Sequence, residues 1–183
     1  MKKIIFLLFL IAGSLALPAQ TGLFNLSYAI PIEEADSLLA LSNFYTNNLN
    51  DNFVRYYPKE GNFVDAILVF VEPTTRRMIG WFIKYNPNNT EEDDAYVLKT
   101  LQEMHGKNNH YDEETSQLIW FLSTTRTVHI MYADDNSLTV LYYDSYFPDL
   151  FRLPDKNNPE MKSETQAIIP PADSKMSSDS NEE

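Results

Sequence analysis

The stretch Ser116–Asp144, SQLIWFLSTTRTVHIMYADDNSLTVLYYD, holds three runs rich in β-branched and aromatic residues: Ser116–Ser123, Arg126–Ala133 and Leu138–Asp144. Only Thr124-Thr125 and Asp134-Asp135-Asn136-Ser137 separate them. Short polar breaks between such runs predict three consecutive antiparallel strands in a meander. Alternate residues give Leu118/Trp120/Leu122, Val128/Ile130/Tyr132 and Leu138/Val140/Tyr142, one buried face of a twisted sheet with Trp120 as its anchor. The intervening residues are Gln117, Ile119, Phe121 and Ser123, then Thr127, His129 and Met131, then Thr139, Leu141 and Tyr143. A sheet packed on one side turns a mostly polar face to water, yet this second set is rich in large apolar side chains. Either the N-terminal segment, a second sheet layer or a second copy of the chain covers it, or it is exposed and binds a partner. Ile119, Phe121, His129, Met131, Leu141 and Tyr143 are therefore the candidate binding face. Phe and Tyr suit interface anchors there, and His129 suits a polar contact.

Upstream, Leu23–Ile30 reads as a first strand, ended by Pro31, whose missing N–H suits a helix start. Ala35, Leu38, Leu39, Ser42 and Tyr45 recur at helical spacing, which predicts an amphipathic helix over 32–47. Phe53–Tyr57 reads as a short strand. Phe63–Val71 and Arg77–Tyr85 read as a hairpin around Pro73-Thr74-Thr75-Arg76, and both of its strands are apolar on both faces. Thr90 with Asp93 forms a variant capping box that opens a second helix. Val97, Leu98, Leu101, Met104 and His105 are its stripe, and Gly106 its C-terminal stop. Lys107–Glu114 reads as a polar connection.

The expected architecture is thus α+β: antiparallel sheet with two helices on one face, in the order (β)-α-βββ-α-βββ. Residues 1–19 read as a signal peptide, with Lys2-Lys3 as the basic region, an apolar run to about Leu15 and cleavage after Ala19. Residues 20–153 form a single domain, large enough for an ordinary core. Residues 154–183 are a polar, proline-punctuated tail expected to be disordered and to add nothing to the fold's stability, with Ala167-Ile168-Ile169 as its one apolar spot.

Ile30-Pro31-Ile32 at the first helix, Leu101 through Gly106-Lys107 at the end of the second, Trp120, Thr127–Tyr132 and Leu138–Asp144 resemble a loose group of small exported bacterial proteins of unknown function. The resemblance covers about residues 23–150. It implies a domain of helices on a sheet, and it implies no activity.

The 183 residues carry 14 basic and 26 acidic side chains, a formal net charge of −12. Removing the leader makes it more negative, which argues against nucleic acid or an anionic membrane as partner, because both require basic patches. The leader's apolar run is too short for a spanning helix. With no cysteine, neither a disulfide nor an acylated-cysteine anchor is available. The expected location is the periplasm or the exterior.

Chemistry is sparse. His105, His110 and Asp112 or Glu113 are the candidates for metal, but their spacing matches no ligand pattern. His105 reads instead as a cation at a helix C-terminus. His129 has no preset serine or carboxylate partner for a triad. Glu91–Asp94 are consecutive and suit a helix start better than a calcium loop. No catalytic residue, cofactor or metal is assigned. The function expected is an exported, soluble binding module without a catalytic site, using an apolar or aromatic sheet face or its loops to meet a protein, peptide or glycan. The alternative is a small hydrolase whose site is assembled from residues distant in sequence.

Overall fold

The computed structural model describes residues 20–61 and 63–151, so the expected leader and polar tail lie outside the described residues. Among the described residues there are two α-helices, α1 (Ile32–Leu41) and α2 (Glu91–His105). Eight strands accompany them: β1 (Phe44–Tyr45), β2 (Phe53–Pro58), β3 (Val64–Val71), β4 (Met78–Tyr85), β5 (His110–Asp112), β6 (Gln117–Phe121), β7 (Arg126–Tyr132) and β8 (Leu138–Asp144). They form one sheet in the order β1-β2-β3-β4-β8-β7-β6-β5, with every neighbouring pair antiparallel. The fold is α+β, dominated by the sheet.

The element order differs from the expected one at three places. Leu23–Ile30 is not a strand: Leu23–Asn25 is a 3-10 turn, and Phe24, Asn25 and Ala29 have φ of 61°, 57° and 66°. Left-handed backbone cannot continue a pleated strand. α1 stops at Leu41 rather than 47, because Asn43 has φ 65° and reverses the chain into β1. Leu41, the last residue of α1, is 83% exposed, and Tyr45, expected on the apolar stripe, lies in β1 and is 42% exposed. The polar connection after α2 contains β5, a short edge strand paired with β6; such edges are short and polar because their unpaired groups face water. Each half of the chain is thus a helix followed by a four-stranded meander, and the two last strands, β4 and β8, meet in the middle.

That junction follows from side-chain chemistry. β4 and β8 are apolar on both faces, so both need neighbours and cover on either side. Trp81 and Tyr142 stand opposite each other in the register, with rings stacked at 4.0 Å and 12°. Gly22 lies on this stack; a Cβ there would come within 2.4 Å of the Tyr142 ring. Leu23 N donates to the Tyr142 hydroxyl at 3.1 Å, and His105 Nε2 lies 3.0 Å from the same oxygen.

Both helices pack on the Trp81/Tyr142 face. Ile32, Ala35 and Leu39 of α1 and Val97 and Leu101 of α2 share one apolar cluster with Val69, Trp120, Val128 and Val140. The capping box forms as expected: Thr90 Oγ1 accepts from Asp93 N, and Asp93 Oδ2 accepts from Thr90 N at 2.9 Å. Gly106, with φ 85° and ψ 178°, ends α2 in a region that only glycine occupies freely.

On the opposite face a second cluster joins Leu68, Phe70, Ile79, Leu141 and Tyr143 to Phe151, from a 3-10 turn at Pro148–Phe151. Gly80 makes the socket for the Phe151 ring, since a Cβ there would sit 2.7 Å from it. Among the described residues no helix is long and apolar enough to cross a membrane.

Candidate functional site

The six residues of the candidate binding face do share one side of β6, β7 and β8. The register aligns Phe121 with Thr127 and Tyr143, Ile119 with His129 and Leu141, and Met131 with Thr139. Their surroundings differ. Leu141 is fully buried, and Tyr143 is 8% exposed with its ring edge-on to Phe151 at 4.7 Å. Met131 is half-buried and Ile119 buried, while Phe121 at the far end is 67% exposed. The face is therefore not one open patch. Part of it is a satellite core covered by the chain's own Pro148–Phe151 turn, and Phe121 is the large apolar side chain of the set that stands in water.

His129 is 4% exposed and bonded at both ring nitrogens: Thr127 Oγ1 lies 2.7 Å from Nε2 and Gln117 Oε1 lies 3.0 Å from Nδ1. An amide oxygen only accepts, so the ring proton sits on Nδ1 and the Thr127 hydroxyl donates to Nε2. Sequence reading found no partner for His129, because Thr127 becomes one only through the strand's two-residue period and Gln117 only across the ladder. Burial pushes the His129 pKa down to about 4, slightly opposed by the charge of Asp112. The unfolded chain, near the ordinary 6.5, therefore takes up a proton first as pH falls. The contribution of the neutral ring to stability is complete above about 6.5 and is lost between there and about 4. His129→Gln is expected to flatten the fall in unfolding free energy over that window by up to about 1.4 kcal/mol per pH unit. Denaturant titrations across it check this; an unchanged slope in the variant would place its origin elsewhere.

The residues considered for metal are engaged separately. His105 sits in the last turn of α2 as expected from sequence, where its Nε2 meets the Tyr142 hydroxyl and burial lowers its pKa, which disfavours the charged form. His110 is exposed on β5, and Asp112 accepts from Glu114 N and Thr115 Oγ1. Among the described residues no three His, Asp or Glu side chains are placed to hold a metal ion.

A concavity lies at one end of the sheet, lined by none of the residues singled out in the sequence as a site. It has a volume of about 520 Å³ and is walled by the Tyr28-Ala29 turn, the β3–β4 hairpin from Glu72 to Arg77, and Phe147. Met78, Ile79 and Phe147 supply apolar surface; Arg77, Arg126, Asp144 and Glu72 supply charge. Arg126 and Asp144 are register partners, so the strand pairing itself places Nε 3.0 Å from Oδ2. Asp144 is buried, and its Oδ1 accepts from Tyr146 N at 3.1 Å. The Arg126 guanidinium also covers the Tyr28 ring at 4.5 Å, which ties the N-terminal turn to the end of the sheet. Tyr28 is buried and its hydroxyl donates to Tyr143 O at 3.3 Å, while desolvation pushes its pKa up.

The opposite wall is held by backbone. Ala29 N donates to Met78 O at 2.8 Å, and the Ala29 carbonyl accepts from Arg77 Nη1. Glu72 accepts from Thr74 N and Thr75 N; its bonds to Thr75, then Thr74, hold its pKa down to about 2. Ala29 and Arg76, two of the left-handed non-glycine residues, flank this cavity, where stored backbone strain often accompanies a built site. The one signal in the sequence was Arg77 at a hairpin base and Arg126 opening a strand, and neither points to the other without the sheet order. No family model matches the chain, and no curated protein or solved structure matches it either, so its function is argued from this cavity and this sheet.

Proposed function

We propose that the protein is an exported binding module without a catalytic site, and that its ligand enters the cavity between Tyr28, the Glu72–Arg77 hairpin and the Arg126–Asp144 pair. The observation that carries this reading is the cavity's composition. A volume of about 520 Å³ falls in the small-molecule range, and an apolar wall with a few converging polar groups is how such sites combine affinity with orientation. This use of loops at the sheet end is favoured over the sheet face, whose exposed part is Phe121. Export is proposed from the leader-like residues 1–19.

Binding is favoured over catalysis because the lining's acids are occupied. Glu72 is held at about pKa 2, far from the neutral range a general base needs, and both oxygens of Asp144 are bonded. The hydrolase alternative would use Thr127, His129 and Gln117, which stand as hydroxyl, imidazole and orienting amide. A pKa of about 4 and near-complete burial make His129 a weak and shielded base.

Thr74→Trp, at an exposed turn on the cavity wall, is the test. Small molecules that raise the wild-type Tm are expected to lose that effect in this variant while its own Tm stays unchanged. At ligand near a hundred times Kd the wild-type gain is about 2.7 kcal/mol. Hits that shift both proteins equally, or a loss caused by Phe121→Ser instead, would move the site away from the cavity.

A further inference from the structure

We infer that the cavity's ligand is a small amphipathic carboxylate, with its acid group held by Arg77 and Arg126 and its apolar body against Met78, Ile79 and Phe147. This rests on the binding reading above and adds the chemical class of the ligand.

Donors and acceptors in the wall are unevenly committed. Each oxygen of Asp144 already accepts, from Arg126 Nε and Tyr146 N. Each oxygen of Glu72 accepts from a backbone N–H of the hairpin turn. The hydroxyl of Tyr28 is committed to the Tyr143 carbonyl. The acids of the wall are therefore already engaged, with one bond to each oxygen, by the protein itself.

The donors are not. A guanidinium offers five N–H groups. Among the described residues, Arg77 spends one on the Ala29 carbonyl and Arg126 one on Asp144. What the wall lacks is acceptors, and the ligand that completes it brings them on a flat group that a guanidinium fork can grip with two parallel bonds. A cationic ligand would meet two arginines beside carboxylates that each already accept two bonds, and a neutral one would leave the forks unanswered. The chain as a whole carries a formal charge of −12 and repels anions at a distance, whereas the cavity wall, with Arg77 and Arg126 against Glu72 and Asp144, is balanced in formal charge and so opposes an anion less than the surface as a whole does. The apolar part of the wall then selects an acid with a hydrophobic body over a bare small anion.

Octanoate, octanol and octylamine share a body and differ in head group, which makes them suitable probes for titration calorimetry on the full chain. Arg77→Gln is the variant of choice, because Arg77 is exposed and its guanidinium neutralises no buried acid. Arg126 is unsuitable, since removing it would strand the buried Asp144. Octanoate is expected to bind the wild type at least about tenfold more tightly than octanol or octylamine, and Arg77→Gln is expected to erase most of that preference, as loss of a charge-assisted bond implies. Arg77→Lys, which keeps charge without the fork, should fall between. If the three probes bind alike, or the preference for octanoate survives Arg77→Gln, the carboxylate assignment is overturned while the cavity reading stands. If no probe binds the wild type, or Thr74→Trp binds all three as the wild type does, the cavity reading falls as well.

Discussion

Trp120→Ala is expected to cost the fold about 3–5 kcal/mol, the usual range for deleting a buried indole. The side chain is 1% exposed and lies on the helix-covered face, opposite Val128 in the register. Its Nε1 donates to the Gly106 carbonyl at 2.9 Å, just beyond the end of α2. One residue thus joins β6, an outer strand of the sheet, to the crossing helix. Truncation removes the apolar contacts and also the bond that fixes how α2 leads into β5. Trp120→Phe, which keeps the ring volume in part and loses the donor, should cost clearly less, with the difference between the two variants giving the packing share. Equilibrium denaturation reads both, and a wild-type midpoint in Trp120→Ala would mean that this face is not the core.

Phe151→Ala is expected to cost about 3 kcal/mol, the lower end for a buried aromatic ring, because the short 3-10 turn that carries it can shift to fill part of the space. Phe151 is fully buried against Phe70 at 4.5 Å and Tyr143 at 4.7 Å, over the notch left by Gly80. Gly80→Ala attacks the same socket from below, and its Cβ would also meet the Tyr142 carbonyl oxygen. The two substitutions destroy one contact, so their costs should fail to add. The informative companion measurement is binding of a hydrophobic dye to the folded protein. Phe151→Ala should increase it by uncovering Leu141 and Tyr143, whereas Trp120→Ala acts on the other face. If Phe151→Ala is as stable as the wild type and binds no more dye, the Pro148–Phe151 turn is not the cover of this face.

These two residues also mark the border between what could be read and what could not. Trp120 was legible because strand alternation is a local property: once Ser116–Ser123 is a strand, Leu118, Trp120 and Leu122 must share a side. The same reasoning identified the odd second face and offered three covers for it. It did not identify Pro148–Phe151, because a single aromatic ring in a short turn has no periodicity, and its socket is a glycine some seventy residues away that only the β4–β8 pairing brings under it. The failures at Leu23–Ile30 and Lys107–Glu114 have a related origin. Three left-handed residues break the first run although its composition suits a strand, and β5 is polar because an edge strand need not be apolar.

The sequence by itself determined the α+β class, the antiparallel hairpins, the presence of both helices, the caps of α2, and most of the apolar sides of the strands, since each depends on residues within about ten positions of one another. Only the tertiary structure decided that the two meanders join through β4 and β8, and the consequences of that junction are the candidate site. It brings the β3–β4 hairpin beside the Arg126–Asp144 end of the second meander, and the Tyr28 turn then closes the gap. The residues involved are separated by up to 116 positions, so no local rule relates them. Burial and exposure on the second face were equally beyond sequence. Phe121 and Tyr143 lie in the same row of the ladder, on either side of Thr127, and they differ because Phe151 reaches one of them.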